Sequence, residues 1–143
     1  MATVKNILDS KGRLVWHATP GTPAIDALKI LKDRKIGALV VLDGSQIVGI
    51  FSERDFARRV VACADCDTTS PLRDFMTTTV IGVKENESIE NCMTLMASKH
   101  IRHLPVVDES GSLVGMISIG DVVKQLVVER EDSIKYLEDY IWY

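Results

Sequence analysis

Gly115-Met116-Ile117-Ser118-Ile119-Gly120-Asp121 repeats the pattern of an earlier stretch, Gly49-Ile50-Phe51-Ser52-Glu53-Arg54-Asp55. Both read glycine, two apolar residues, serine, two residues, aspartate. The copies stand 66 positions apart, as 115 − 49 and 121 − 55 both give. Each follows a strand-like apolar run and precedes a helix-like one. Ser-x-x-Asp at that junction marks a helix start: the hydroxyl takes one orphan N–H and the carboxylate reaches back for another. That account needs no ligand.

The same atoms also suit a nucleotide. A helix N-terminus with a hydroxyl favours a phosphate oxygen. An acceptor-only carboxylate one turn in can take hydrogen bonds from both hydroxyls of a ribose.

Working outward, the first copy closes an ordered series. Val4 to Leu8 is a short amphipathic piece, and the apolar triplet Leu14-Val15-Trp16 reads as a strand after the Gly12 turn. Thr19-Pro20-Gly21-Thr22-Pro23 is dense in turn and helix-start signals. Ile25, Leu28, Leu31 and Ile36 then form the buried stripe of a helix broken at Gly37. Ala38–Leu42 and Ile47–Phe51 read as paired strands around the Asp43-Gly44 turn. The helix from Ser52 is expected to turn Phe56, Val60 and Val61 inward.

The series then recurs. Pro71–Met76 echoes the opening piece, Thr79–Val83 the first strand, and Ile89, Met93, Met96 and Ile101 the buried stripe. Leu104–Val107 and Leu113–Ile117 are the paired strands. The offset is 65 before the second hairpin (101 − 36) and 66 after it, so the second turn is one residue longer, as duplication with drift produces. The expected organisation is a first repeat at 1–66, a linker at 67–70, a second repeat at 71–130 and a helical tail at 131–143. In the tail Ile134, Leu137, Tyr140 and Ile141 fall at helical spacing, and Trp142-Tyr143 is expected to dock, in cis or in trans. Halves of about 60 residues are marginal alone, so each is expected to complete its core against the other.

Composition narrows the function classes. The 143 residues carry a net charge of −3 with 46 % hydrophobic and 26 % charged residues, which argues against a general nucleic-acid surface. No run approaches the ~20 apolar residues of a membrane span. A cytoplasmic protein that engages neither nucleic acid nor membrane is expected. Cys63-Ala-Asp-Cys66 has no second pair to complete a zinc site and trails out of a helix, so its spacing reads as chance, with neither metal nor a functional disulfide expected. His100 and His103 lack an evident third ligand, and no metal site is expected.

A tandem strand-helix-strand-strand-helix unit closed by Gly-apolar-apolar-Ser-x-x-Asp resembles the cystathionine β-synthase (CBS) domain pair, over nearly the whole chain. Ile36-Gly37-Ala38-Leu39-Val40-Val41 and Ile101-Arg102-His103-Leu104-Pro105-Val106-Val107 are similar to the family's central strand. Phe51–Asp55 and Met116–Asp121 are similar to its ribose-phosphate motif. The resemblance implies an α+β fold of two β-α-β-β-α repeats with pseudo-twofold symmetry, a homodimer, and clefts for AMP, ADP, ATP or NAD, with S-adenosylmethionine less expected. Asp55 and Asp121 would each hold a ribose, Ser52 and Ser118 would face phosphate, and Ile36, Gly37, Ala38 and Ile101, Arg102, His103 would flank adenine. Thr19 and Thr79 match positions that touch base or ribose. By the same resemblance Arg102 and His103, with Arg54, would serve phosphate in the cleft of Asp55. The cleft of Asp121 would have only Gly37 and Ala38 in their place, and would be weaker, empty or suited to a less charged ligand.

The resemblance thus implies a non-catalytic regulatory module that senses adenosine nucleotides and acts on a separate protein. An enzyme is disfavoured: both aspartates already have a task, and no nucleophile–base set stands out. The alternatives are a ligand-free dimerisation or interaction module, or a regulator of a redox partner.

Overall fold

The computed structural model of the chain describes residues 1–142, with their side chains except at 133 and 136–142. The elements run α1 (Val4–Lys11), β1 (His17–Ala18), α2 (Ala24–Arg34), β2 (Ala38–Asp43), β3 (Gln46–Ser52), α3 (Glu53–Val60), a 3-10 turn (Leu72–Asp74), α4 (Ile89–Lys99), β4 (His103–Val107), β5 (Leu113–Ser118) and α5 (Ile119–Trp142). The class is α+β, with small sheets and packed helices.

Two compact units form, and they cut across the sequence repeats. One comprises Leu14–Ile81 and Gly111–Leu113; the other comprises Met1–Arg13, Gly82–Ser110 and the chain from Val114 onward. The opening helix α1 therefore belongs with the second repeat's motif, and the Leu72–Asp74 turn belongs with the first.

In the first unit β2 and β3 pair antiparallel, with Ala38 opposite Ser52 and Leu39 opposite Phe51. The reversal at Asp43-Gly44 needs a positive φ, which Gly44 supplies at +62°. β1 runs parallel to β2 through His17 and Ala18, so the first strand lies beyond the expected Leu14-Val15-Trp16. Leu31, Leu39, Val41, Phe51, Leu72 and Phe75 make the core, each essentially inaccessible to solvent. Burying side chains of this size contributes roughly 1.5–3 kcal/mol apiece. Phe56 packs on Phe75 with ring centroids 5.0 Å apart. Val61, expected inward, is exposed because α3 ends at Val60 and the chain turns away. The stretch read as a linker does local work: Ser70 O accepts from Ala24 N at 2.8 Å and Thr68 O from Ile25 N at 2.7 Å. Those bonds satisfy N–H groups at the start of α2 that the helix itself cannot.

In the second unit β4 and β5 pair, α4 and α1 pack on α5, and Val4, Leu8, Ile89, Leu104, Val106, Ile117 and Val122 are fully buried. The strand expected over Thr79–Val83 shrinks to one parallel bridge between Val83 and Val106, with Val83 N donating to Pro105 O and Val107 N to Val83 O. The next rung back would need an N–H from residue 105, and proline has none.

The duplication also appears at the helix ends. Lys35 and His100, 65 positions apart, close α2 and α4 in the left-handed conformation, at φ 53° and 55°. In both places the next residue donates back into the helix at 3.1 Å, Ile36 N to Leu31 O and Ile101 N to Met96 O. This is a Schellman-type stop. It corrects the expectation that Gly37 ends α2.

The reading of the Cys63–Cys66 spacing as chance is also corrected, since their sulfurs are bonded. The chain after α3 brings the two Cα atoms to 5.3 Å, within bonding reach. Side chains of Leu137, Tyr140, Ile141 and Trp142, with Tyr143, lie outside the described residues, and so does the expectation that this tail docks. Ile134, ahead of them, is exposed. Among the described residues no helix is long and apolar enough to cross a membrane.

Candidate functional site

The duplicated motif places its serine on the last strand residue and its aspartate in the first helical turn. At the first copy Ser52 N donates to Asp55 Oδ2 at 2.9 Å, Asp55 N donates to Ser52 Oγ at 3.2 Å, and Ser52 Oγ donates to Asp55 Oδ2 at 3.0 Å. At the second copy Ser118 N donates to Asp121 Oδ2 at 2.9 Å and Asp121 N donates to Ser118 Oγ at 3.2 Å. The reciprocal cap is therefore real in both repeats, and it holds each carboxylate in one orientation.

What else meets each carboxylate differs. Asp55 Oδ1 accepts from Thr77 Oγ1 at 3.0 Å. Asp121 Oδ2 accepts from Lys11 Nζ at 2.7 Å, and the same ammonium donates to Met116 O at 3.0 Å. Burial raises the Asp121 pKa. The Lys11 hydrogen bond and charge, with the Ser118 bonds, outweigh that and hold the carboxyl below its ordinary 3.8.

Thr77 and Lys11 are not in the motif, and sequence reading passed over both. They stand 66 positions apart, the same offset as the two motifs. Just ahead of Thr77, Met76 packs where a Cβ on Gly49 would lie, with Sδ at 2.7 Å; three residues before Lys11, Leu8 does the same at Gly115, with both Cδ atoms at 2.8 Å. The one local hint was a basic residue in the last turn before Gly12, a common ending for any helix.

The remaining expected site residues fall as follows. Ala38 is buried and faces Ser52 across the β2–β3 ladder, so the structure brings these two together. Ile36 is half-buried and Gly37 exposed at the entry to β2. In the second unit Arg102 is exposed, and its carbonyl accepts from Ile119 N at 2.9 Å, which brings the Ile101-Arg102-His103 entry to β4 beside the start of α5. Ile101 and His103 there are half-buried, and Arg54 is exposed on α3. Thr19 is engaged with Thr22, its N–H and hydroxyl at 3.1 and 3.0 Å from the Thr22 Oγ1. Thr79 is exposed on irregular chain ahead of the Val83 bridge.

Two repeats of this kind, each ending in a capped Ser-x-x-Asp, define a tandem-repeat architecture that matches a known family. The CBS domain model matches twice, at residues 7–62 and 72–128, and the chain belongs to the CBS domain family. The CBS domain-containing protein CBSX3, mitochondrial, of Arabidopsis thaliana is 34 % identical over 97 % of this chain and 71 % of its own. A CBS-domain protein from Burkholderia ambifaria superposes with a TM-score of 0.84 at 41 % identity, covering 89 % of this chain and 95 % of that one. The CBS domain pair of protein MJ0100, solved with 5-methylthioadenosine and S-adenosyl-L-methionine, gives 0.78 at 25 % identity over 90 % and 98 % of the two chains. CBSX2, solved with AMP, gives 0.76 at 25 % identity over 91 % and 99 %.

Proposed function

We propose that this chain is a non-catalytic regulatory module that binds an adenosine nucleotide of the AMP, ADP, ATP or NAD class and transmits its occupancy to a separate protein. The observation that carries the reading is the fixed carboxylate at the start of α3 and again at α5. In each repeat the cap holds the aspartate in one orientation while an ionised carboxylate keeps lone pairs to spare, as a ribose diol requires. Two structural relatives hold adenosine-containing ligands, which supports the class without selecting a member. Asp55 and Asp121 take the ribose, Ser52 and Ser118 stand nearest the phosphate, and Ile36, Gly37, Ala38 and Ile101, Arg102, His103 supply adenine-facing backbone. Arg54, where the second copy has Gly120, adds charge at Asp55.

The working form is a homodimer. Val123, Val127 and Val128 are exposed on α5, beside a groove lined by Met93, Ala97 and Leu126. A second copy covering that face would remove the apolar area from water. The module is assigned to the cytoplasm.

A thermal-shift panel of AMP, ADP, ATP, NAD and S-adenosylmethionine tests the reading. A true ligand at ~100 times its Kd adds roughly 2.7 kcal/mol of stability. Calorimetry on Asp55→Ala and Asp121→Ala then reports which aspartate carries the binding. A panel with no shift at millimolar concentration refutes the nucleotide assignment and leaves the ligand-free interaction module.

A further inference from the structure

We propose that Lys11 gates the Asp121 ribose position and makes it select adenosine ligands that carry a phosphate over uncharged ones. The proposal rests on the nucleotide reading above and deepens it. Lys11 comes from the last turn of α1, outside both copies of the motif, and its ammonium sits 2.7 Å from Asp121 Oδ2. That oxygen also accepts from Ser118 N, and among the described residues the hydrogen bonds to this carboxylate fall on Oδ2. A ribose diol that engages both carboxylate oxygens therefore competes with the ammonium for one of them.

The outcome of that competition depends on what the ligand offers in exchange. Uncharged adenosine displaces the ammonium and gives it no anion, so the ion pair is lost. A phosphate-bearing ligand supplies an anion to the same cation, and the four-carbon lysine stem lets the ammonium swing from carboxylate to phosphate. Ser118 and the start of α5 stand beside Asp121, where N–H groups already favour negative charge. The Lys11 side chain is 39 % exposed and that of Asp121 24 %, so solvent and ligand can reach the ammonium while the carboxylate stays held by its cap. The equivalent donor at Asp55 is the neutral hydroxyl of Thr77, which a diol displaces without breaking an ion pair. The two repeats thus differ in selectivity through residues that neither motif contains.

The test uses the full chain carrying Asp55→Asn, so that heat reports the Asp121 position, with AMP and adenosine as the two probes in calorimetry. With Lys11 present AMP is expected to bind about tenfold or more tighter than adenosine, the scale of one charge-assisted hydrogen bond. Lys11→Met, which keeps the stem and removes the charge, should weaken AMP, tighten adenosine and bring the ratio close to one. Lys11→Arg should restore the preference. A ratio that Lys11→Met leaves unchanged overturns the proposal, and so does a melting temperature showing that Lys11→Met unfolds the chain while Lys11→Arg binds without preference. If AMP binds the parent chain but not the Asp55→Asn form, the gate at Asp121 is refuted and the nucleotide reading stands. If neither probe binds any form, both fall together.

Discussion

Leu8 occupies the space beside Gly115: both its Cδ atoms stand 2.8 Å from where a Cβ on that glycine would be. Leu8 is fully buried, so it has little room to yield. Gly115→Ala is expected to cost about 1–3 kcal/mol by overpacking. Leu8→Ala alone should cost about 2–5 kcal/mol through its cavity. Because the new methyl fills part of that cavity, the double variant should be clearly less unstable than the sum, and urea unfolding of all four forms measures the coupling.

Thr77 makes a parallel prediction at the other copy. Its hydroxyl donates to Asp55 Oδ1 at 3.0 Å from a partly buried position. Thr77→Val keeps the shape and removes the donor, and should lower stability by about 0.5–1.5 kcal/mol. If Thr77 only steadies the carboxylate, Thr77→Ser should recover most of that loss in chemical denaturation.

The ion pair between Lys11 and Asp121 predicts a pH window. Asp121 is held below its ordinary 3.8 in the folded chain, with burial opposing and Lys11 and Ser118 prevailing. A depressed folded pKa contributes stability that is present above the unfolded value and is lost as pH falls through the folded one. The stability gap between the parent and Lys11→Met should therefore be constant near neutrality and close only in acid, below about pH 4. It should also shrink in high salt, since Lys11 is partly exposed.

The three cysteines should react in a fixed order. Cys63 and Cys66 are bonded to each other, while Cys92 is buried and its thiol is pushed up to about 11 by burial and then by Glu87. A thiol reagent at pH 8 is expected to label nothing in the native oxidised chain. After mild reduction it should label Cys63 and Cys66, and only unfolding should expose Cys92. Peptide mass mapping of the three samples decides it, and early labelling of Cys92 would contradict the burial.

Dimerisation makes the last prediction. Val127 is exposed on α5, so Val127→Glu should leave the melting temperature of a monomer unchanged while lowering the sedimenting mass if that face is self-paired. A wild-type chain that sediments only at 15.9 kDa contradicts the homodimer.

The sequence by itself determined what depends on near neighbours. Apolar spacing set α2 and α4, Asp43-Gly44 set the β2–β3 reversal, and Ser-x-x-Asp set the capped starts of α3 and α5, because each is a contact within about four residues. The offset of 65 to 66 residues exposed the duplication, which even reaches the left-handed Lys35 and His100. Tertiary structure alone decided the rest. Lys11 lies 110 residues from Asp121 and Thr77 lies 22 from Asp55, so neither partner could be read from local pattern. The same holds for α1 joining the second repeat's motif, and for the strand at Thr79–Val83 failing for want of an N–H on Pro105. Periodicity reports which face of an element is buried; it does not report what buries it. That choice is made by long-range packing, and here packing brought an ammonium to Asp121 and a hydroxyl to Asp55, so two copies of one motif acquired different chemistry.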